Sequence, residues 1–478
     1  MSIKEKKTIT KQSQDFPQWY QDVVREAQLA ESSEVRGCGI VRPYGLKIWE
    51  LIKAELNRRL EEDGVENVYF PIFVPLENLE AEKDHVEGFA PELAIVTHAG
   101  GEELANKLAV RPTSEAAMYK TYARWIQSYK DLPLRLNQWA NVVRWEKRPR
   151  AFLRWSEFLW QEGHTVFATE REARAEVLKI LKIYQDIYQF MAVPTLAGQK
   201  SESEKFAGAV ATFTTEVMAR DGKAIQGATS HYLGTNFSKV FGVKYLGADG
   251  ESHFGHQNSW GLAWRAVGAL IMVHGDNNGL RLPPNVAPVQ IIAVPIYKDE
   301  TGRQETLGYI DKIKQSLNNR YRFKVDERDG QTPGYKFNYW EVRGVPVRLE
   351  IGPKEVVAAQ VSVFRRDNDS KETVSFDALP TYLENLMVSI HDNLYQQADK
   401  FIHSHIHRIE SWEEIDDRSG WFEASWSEDP ATEKQLKEKY GMVSRVLLPD
   451  KASAAPRNPK CFISGKAAKH DWLFAKSY

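Results

Sequence analysis

Residues 142–162 constrain this chain more than any other stretch. Val142-Val143-Arg144-Trp145-Glu146-Lys147-Arg148-Pro149-Arg150, then Phe152-Leu153-Arg154-Trp155-Ser156-Glu157-Phe158-Leu159-Trp160-Gln161-Glu162, read as two strands joined by a short basic loop. Residues two apart on a strand share a face. Arg144 and Glu146 therefore point one way, and Arg154, Phe158, Trp160 and Glu162 share a face on the return strand. With the faces in register, guanidinium groups, carboxylates and flat rings line one sheet surface. Adenine needs a flat partner, phosphates need arginines, and an ammonium needs carboxylates. The pattern fits an ATP site built on an antiparallel hairpin.

At 478 residues the chain is long enough for two to four domains. Its 42% apolar and 27% charged residues are ordinary for a soluble protein with sizeable cores. A net charge of −2 gives no global basic field, so any nucleic acid must be met by local patches such as Lys147, Arg148 and Arg150. Two cysteines, Cys38 and Cys461, exclude a disulfide framework and a four-cysteine zinc site within one chain. The polar, lysine-rich start lacks the apolar centre of a signal peptide, and no apolar run reaches spanning length. A cytoplasmic chain with no membrane partner is expected.

Helical spacing predicts helices over Phe16–Glu31 and from Pro43 to Gly64, the second with Trp49, Ile52, Leu56 and Leu60 inward. Val68–Val74 reads as a strand bent at Pro71. Thr113 opens a helix, and Thr169 with Glu172 forms a capping box for a helix reaching Met191. Short strands and glycines fill 192–265, and 282–288 reads as a linker. Beyond it Val289–Ile296, Tyr321–Val325, Val345–Ile351 and Val361–Arg365 read as strands and Glu305–Leu317 as a helix, an open α/β pattern. A long helix is expected over Leu379–His407. Gly420–Ser427 reads as a charged segment, Thr432–Tyr440 as a helix, Ser444–Leu448 as a strand, and the end at Trp472–Tyr478 as a polar loop. The domains are expected at 1–285, 286–390 and 391–478, in an α+β chain.

Arg144-x-Glu146, a loop, then Arg154-x-x-x-Phe158 resembles motif 2 of the class II aminoacyl-tRNA synthetases. Gly261-x-x-x-Arg265 entering an apolar helix resembles motif 3, and the helix and strand ending at Pro71 resemble motif 1. Thr113-Ser114-Glu115, Phe158-Leu159-Trp160-Gln161-Glu162-Gly163-His164, Lys205-Phe206-Ala207-Gly208-Ala209 and Gln226-Gly227-Ala228-Thr229-Ser230-His231 are similar to the prolyl-tRNA synthetases, of the archaeal/eukaryotic-like type. The resemblance runs over essentially the whole chain. No Walker-type glycine loop and no class I His-Ile-Gly-His signature competes with it.

The resemblance implies an antiparallel-sheet catalytic domain flanked by helices, an α/β anticodon-binding domain and a small α/β C-terminal domain. It implies that proline and ATP give prolyl-adenylate and pyrophosphate, and that prolyl then passes to the 3′ end of tRNA(Pro). Charge develops on phosphate oxygens, so fixed cations and Mg²⁺ carry the catalysis and no protein nucleophile is needed. By resemblance, Arg144 holds the α-phosphate and the substrate carboxylate, Arg265 holds the γ-phosphate, and Phe158 stacks on adenine. Glu146 and Arg154 orient the nucleotide, Gln226 and Thr229 lie on its side near metal or ribose, and Glu216 is the expected Mg²⁺ ligand. Thr113 and Glu115 accept the proline ammonium, while Trp160, Glu162, His231 and Ser259 shape the pocket. Ala263 departs from the family pattern, where a hydroxyl residue is common.

Glu341, Arg348 and Lys354 match positions expected at the anticodon guanines, and arginine bidentate to guanine has a sound geometric basis. Lys147, Arg148 and Arg150 are the expected acceptor-stem contacts. Relatives often hold zinc with four cysteines near the C-terminus. Here only Cys461 remains, with Trp426, Ala431 and Ile463 where the others would stand, so no structural zinc is expected. A terminal tyrosine fits a subclass whose C-terminus approaches the active site. The span from Glu162 to Arg265 is too short for the inserted editing domain of bacterial-type relatives. Without cis-editing, misactivated alanine is expected, because a pocket rejects a smaller side chain poorly. A homodimer through motif 1 is implied as well.

Each element alone has a plainer account. Arg144 and Glu146 can form a cross-strand ion pair, Phe158 and Trp160 can be core aromatics, and Thr113 can be an N-cap. The plain accounts fail together, because the residues fall in order across one domain. A class II-like paralogue without chemistry, or a synthetase for threonine, serine, glycine or histidine, stays open at this stage.

Overall fold

The computed structural model describes residues 9–80, 93–415 and 418–478; the lysine-rich start at residues 1–8 lies outside them. Phe16–Glu26 is a helix capped by the Asp15 carboxylate, with proline in its first turn. It stops short of Glu31 because Gln28 takes a positive φ of 56° and Ala30–Ser32 pairs with Gly39–Val41. The helix Pro43–Glu62 follows and buries Trp49, Ile52, Leu56 and Leu60, as its spacing predicts.

A seven-stranded sheet forms the frame of the first domain. Its order is Glu66–Asn67, Leu134–Val143, Glu157–Phe167, His256–Ala263, Ala224–Gly234, Ala211–Met218, Leu196–Gln199. Only the first pair is parallel. The expected strand over Val68–Val74 is divided. Val68 still donates to Asn137 O at 2.8 Å, but Phe73–Pro75 joins a separate three-stranded sheet with Glu102–Val110 and Ile95–Ala99. Pro71, lacking an N–H, lies at the break. The helix Glu170–Phe190 starts on the Thr169/Glu172 capping box and packs Ile180, Tyr184 and Ile187 into one core with Trp260 and Leu262.

The hairpin pairs Val142 with Phe158 and Gln138 with Glu162. Its strands end at Val143 and resume at Glu157, so Arg144, Glu146 and Arg154 are loop residues and not strand residues. Pro149 cannot donate to a ladder, and Phe152 takes a positive φ of 58°. The loop closes on itself through Arg150 N to Arg154 O at 2.7 Å and the reverse bond at 2.8 Å.

The second domain is a five-stranded sheet in the order Phe323–Val325, Ile291–Pro295, Val347–Ile351, Gln360–Arg365, Ser370–Ser375. The first three strands are parallel and the others antiparallel. Two helices absent from the sequence reading, Pro333–Val342 and Pro353–Ala358, both begin on proline. The helix Leu379–Ser404 runs without interruption across residue 390, so a boundary there would divide one helix.

The C-terminal part is a four-stranded sheet, Ile406–Arg408, Trp421–Trp426, His470–Ala475, Val443–Val446. The expected charged segment and polar end are thus buried strands. Both strands are rich in apolar side chains, Trp421, Phe422 and Trp426 in one and Trp472, Leu473 and Phe474 in the other, and Trp421–Trp426 is buried at every position. Trp426 is 1% exposed, in a core with Cys461, Phe462, Trp472 and Phe474. This sheet abuts the first. Gln199 N donates to Leu447 O at 3.0 Å and Leu447 N returns a bond of 2.9 Å, which covers the edge strand Leu196–Gln199. Gly198 permits it, since a Cβ there would stand 2.0 Å from Leu447 O. No described helix is long and apolar enough to cross a membrane.

Candidate active site

Sheet register assembles the site from distant stretches. Ser259 stands opposite both His231 and His164, and Gly261 opposite both Thr229 and Glu162. Phe158, Trp160 and Glu162 share a strand face by their spacing. Gln226 and Thr229 are three apart and would face opposite ways on a regular strand. The register slips between Thr215 and Glu216, leaving Gly227 unpaired, and this bulge re-aims Gln226 to the same side. A cavity of about 280 Å³ results, lined by Thr113, Glu115, Arg144, Phe158, Trp160, Glu162, Gln226, Thr229, His231, Ser259 and Arg265.

One end of the cavity is an anionic cradle. Glu115 is the first residue of the helix Glu115–Trp125, where the helix dipole favours a carboxylate, and it accepts from the Thr113 hydroxyl. Both residues are buried. Glu162 accepts from Ser114 N at 3.1 Å, Ser114 Oγ at 2.5 Å and Gln138 Nε2 at 3.0 Å, and meets His164 Nε2 at 3.2 Å. Burial pushes its carboxyl up, but the His164 and Ser114 contacts outweigh this and hold it below the usual carboxylate range. Burial likewise depresses His164, yet Glu115 and Glu162 raise it overall. His231 has no such carboxylate, and burial pushes it down to about 3, so it is a neutral wall. Its ring lies 4.8 Å from that of Phe206. Trp160 Nε1 and Ser259 Oγ are buried with no hydrogen-bond partner among the described residues. Both line the cavity, so a bound ligand can satisfy them.

A second cavity of about 200 Å³ adjoins it, lined by Arg144, Glu146, Arg154, Phe158 and Arg265 among others. Arg144, Phe158, Ala263 and Arg265 belong to both. Arg144 Nε donates to Pro112 O at 2.9 Å, and its guanidinium stands 5.6 Å from the Phe158 ring and 5.2 Å from Trp160. Arg265 Nε donates to Leu153 O at 3.0 Å. It opens the helix Arg265–His274, whose first N–H groups add to its attraction for an anion. Glu146 and Arg154 lie 3.8 Å apart at the outer rim. An ammonium cradle, a flat ring and two anchored arginines therefore follow one another along a single sheet face.

Comparison with known proteins decides the family. Residues 97–274 match the tRNA synthetase class II core domain (G, H, P, S and T), 289–386 the anticodon binding domain, and 410–478 the C-terminal domain of prolyl-tRNA synthetase. The chain is 48% identical to the proline–tRNA ligase of Natranaerobius thermophilus over 92% of each chain. It is 45% identical to proline–tRNA ligase 2 of Bacillus thuringiensis subsp. konkukian over the full length of both. The chain belongs to the prolyl-tRNA synthetase family. A solved prolyl-tRNA synthetase from Cryptosporidium parvum, complexed with halofuginone and AMPPNP, superposes with a TM-score of 0.93 at 40% identity. The match covers 98% of this chain and 99% of that one.

Not every residue expected from the family pattern meets the site. Glu216 is fully buried, with Lys200 Nζ 3.0 Å from one oxygen and Arg445 Nη2 2.6 Å from the other. Burial raises its carboxyl, but these two cations hold it below the usual range. Its oxygens are engaged, so it does not fit the Mg²⁺ role. Among the described residues the cluster with metal-ligand spacing is Glu115, Glu162 and His164. Glu162 already bonds His164 and Ser114, Glu115 accepts from Thr113, and Mg²⁺ prefers oxygen and water ligands. No side chain is therefore assigned to Mg²⁺. In the anticodon-binding domain of the family, Arg348 is buried, ion-paired to Glu350 at 2.9 Å and set between the Phe337 and Phe364 rings at 4.3 and 4.1 Å. Glu341 is half-buried and Lys354 exposed.

Sequence reasoning assigned no role to several lining residues, among them His164, Lys200, Glu204 and Phe206. His164 and Phe206 lie inside motifs already singled out. Lys200 and Glu204 carry no local signal, because only the folding of Lys200–Ala209 over the cavity brings them there.

Proposed function

We infer that this chain is a proline–tRNA ligase, which activates proline with ATP and transfers prolyl to the 3′ end of tRNA(Pro). One observation carries the reading. The Thr113–Glu115 cradle at a helix N-terminus opens directly onto Arg144, which also walls the cavity of Phe158 and Arg265. The secondary ammonium of proline has two N–H groups, and Thr113 and Glu115 offer it acceptors. Trp160, Phe206 and His231 offer its ring flat apolar walls. Its carboxylate then faces Arg144.

A carboxylate oxygen attacks the α-phosphorus of ATP, the bond to the bridging oxygen breaks, and pyrophosphate leaves. Arg144 and Arg265 stabilise charge gathering on the phosphate oxygens. Phe158 stacks on adenine, while Glu146, Arg154, Gln226 and Thr229 orient the nucleotide. A ribose hydroxyl of the tRNA end next attacks the adenylate carbonyl and expels AMP. Arg348, Glu341 and Lys354 are the anticodon-side residues of this reading, and exposed Lys147 and Arg148 face the acceptor stem. ATP brings Mg²⁺ with its phosphates.

The cytoplasm is the expected site of action, and a homodimer the expected form. Tyr69 and Phe73, in the motif 1 region, are 73% and 51% exposed, which suits a covered contact between copies. Residues 163–264 belong to the sheet and its covering elements, which supports synthesis without cis-editing of alanyl-tRNA.

Pyrophosphate exchange into ATP, run with each amino acid in turn, tests the function. Proline-stimulated exchange is the expected result. Stimulation by threonine and not proline would overturn the substrate, and no exchange at all would favour a paralogue without chemistry. Rapid hydrolysis of alanyl-tRNA by the purified chain would count against the absence of editing.

A further inference from the structure

One wall of the amino-acid cavity is held from another domain. Lys200, Glu204, Lys205 and Phe206 line the cavity, and Phe206 is the face that meets His231. The stretch 201–209 is built of turns rather than regular structure. Its own domain holds its far end through Asn236 Nδ2 to Gly208 O at 2.9 Å and Phe206 N to Thr212 Oγ1 at 3.0 Å. Its near end is held by the C-terminal sheet. Glu433 accepts from the Ser203 hydroxyl and from Ser201 Oγ at 3.3 Å. Ser444 fixes Glu433 by donating its N–H at 2.7 Å, and its hydroxyl donates to Ser201 Oγ at 2.8 Å. Arg445 donates to Glu216 Oε2 at 2.6 and 3.1 Å, and the other Glu216 oxygen takes Lys200 at 3.0 Å.

The anchoring charges are removed from solvent, with Glu433 3% exposed, Arg445 5% and Glu216 0%, while Ser203 at the end of the network is exposed. A buried, fully partnered polar network specifies one arrangement, and each of its members is costly to leave unpaired. Sheet pairing at Gln199 and Leu447 already docks the two domains. The Glu433 and Arg445 side chains add something different, because they act on the segment that closes the cavity.

We propose that Glu433 and Arg445 are positioning residues for the amino-acid pocket: through Ser201, Ser203 and the Glu216–Lys200 pair they hold the Lys200–Phe206 wall against His231. The proposal rests on the proline-activating reading above and adds a residue-level control to it. Neither side chain lines the cavity, so both act through the wall. The adenine-side cavity shares no residue with this wall, so the nucleotide should feel their loss far less.

The test uses the full-length chain with Glu433→Ala, Arg445→Met and Arg445→Lys. In pyrophosphate exchange, Glu433→Ala and Arg445→Met should raise the KM for proline by roughly ten- to a hundredfold, because a wall displaced by an ångström loses that much. The KM for ATP should stay within about twofold, and Arg445→Lys should recover part of the loss by restoring a cation to Glu216. Equal rises for proline and ATP, or unchanged KM values in folded variants, would overturn the proposal. Hydrogen exchange supplies a readout independent of activity. Amides of 201–208 should lose protection in Glu433→Ala while those of Ala211–Met218 keep theirs, and unchanged protection at 201–208 would also overturn it. Failure of the unmutated chain to exchange with proline would instead sink the assigned function, leaving the exchange of 201–208 to judge the wall.

Discussion

The Arg150 guanidinium stands 5.4 Å from the ring centroid of Tyr478, whose hydroxyl donates to Asp221 Oδ2 at 2.5 Å. Tyr478 is held further by its N–H to Ala224 O at 3.0 Å, and by Lys223 Nζ 4.8 Å from its ring. The basic loop of the hairpin is thus tethered to Tyr478 through Arg150. Lys147 and Arg148 remain exposed.

These cations should therefore separate in a charging assay. Lys147→Ala with Arg148→Ala should raise the KM for tRNA, leave proline-dependent exchange unchanged, and reduce the salt slope of tRNA binding by about 1–2. Arg150→Ala and Tyr478→Ala should instead act alike, through the order of the loop. A larger change in salt slope for Arg150→Ala than for the double variant would reverse the assignment.

Arg144 and Arg348 lie in different domains and should fail differently. Arg144→Ala should lower pyrophosphate exchange by roughly a thousandfold, since it removes an anchored cation at the reacting phosphate. Arg348→Ala should spare exchange and weaken aminoacylation. It should also lower the melting transition of its domain, because Glu350 keeps only Lys371 of its two cations and Phe337 and Phe364 lose the guanidinium between them. Equal loss of exchange and aminoacylation in Arg348→Ala would count against an anticodon role.

Glu162 accepts hydrogen bonds at the floor of the cavity and is 2% exposed. In Glu162→Gln an amide N–H₂ must face donors from Ser114 and Gln138. A destabilisation of about 3 kcal/mol is expected from breaking so buried a network, with a raised KM for proline. Denaturant unfolding together with exchange kinetics measures both, and a variant as stable as the parent would contradict the bonding described.

His274 is 2% exposed, and burial pushes its pKa down to about 3, with the charge of Arg220 adding to the effect. An unfolded histidine titrates near 6.5. Between those values the unfolded chain binds a proton that the folded chain refuses, so stability falls as pH drops below about 6.5. His274→Gln cannot titrate. The stability difference between the parent and this variant should shift against the parent by about 1–2 kcal/mol from pH 6.5 to pH 5, read from unfolding midpoints. A pH-independent difference would refute the buried neutral histidine.

The hairpin shows how far local pattern reaches. Glu157–Phe167 was legible because its side chains alternate, and Phe158, Trp160 and Glu162 do share a face in the structure. Arg144, Glu146 and Arg154 still reach the site, but as loop residues, since the ladder stops at the pair Val143 and Glu157 and the loop between holds Pro149 and the positive φ of Phe152. Gln226 reaches it only through the bulge at Gly227, which no alternation rule predicts. The helix Pro333–Val342 carries its own signal in the Thr332 cap followed by Pro333.

The sequence by itself determined the chemical inventory: which acids, arginines and rings exist, in what order, and on which helices and strands most of them ride. Those follow from side-chain type and from periods of two and 3.6, which are local properties. Only the tertiary structure decided which groups remain available. Arg445 and Lys200 occupy the two oxygens of Glu216, which by family pattern is a metal ligand, and Lys200 and Glu204 are cavity residues only because their stretch folds against the cavity with Phe206 on His231. A carboxylate's partners are set by burial and by residues hundreds of positions away, and no local spacing encodes them.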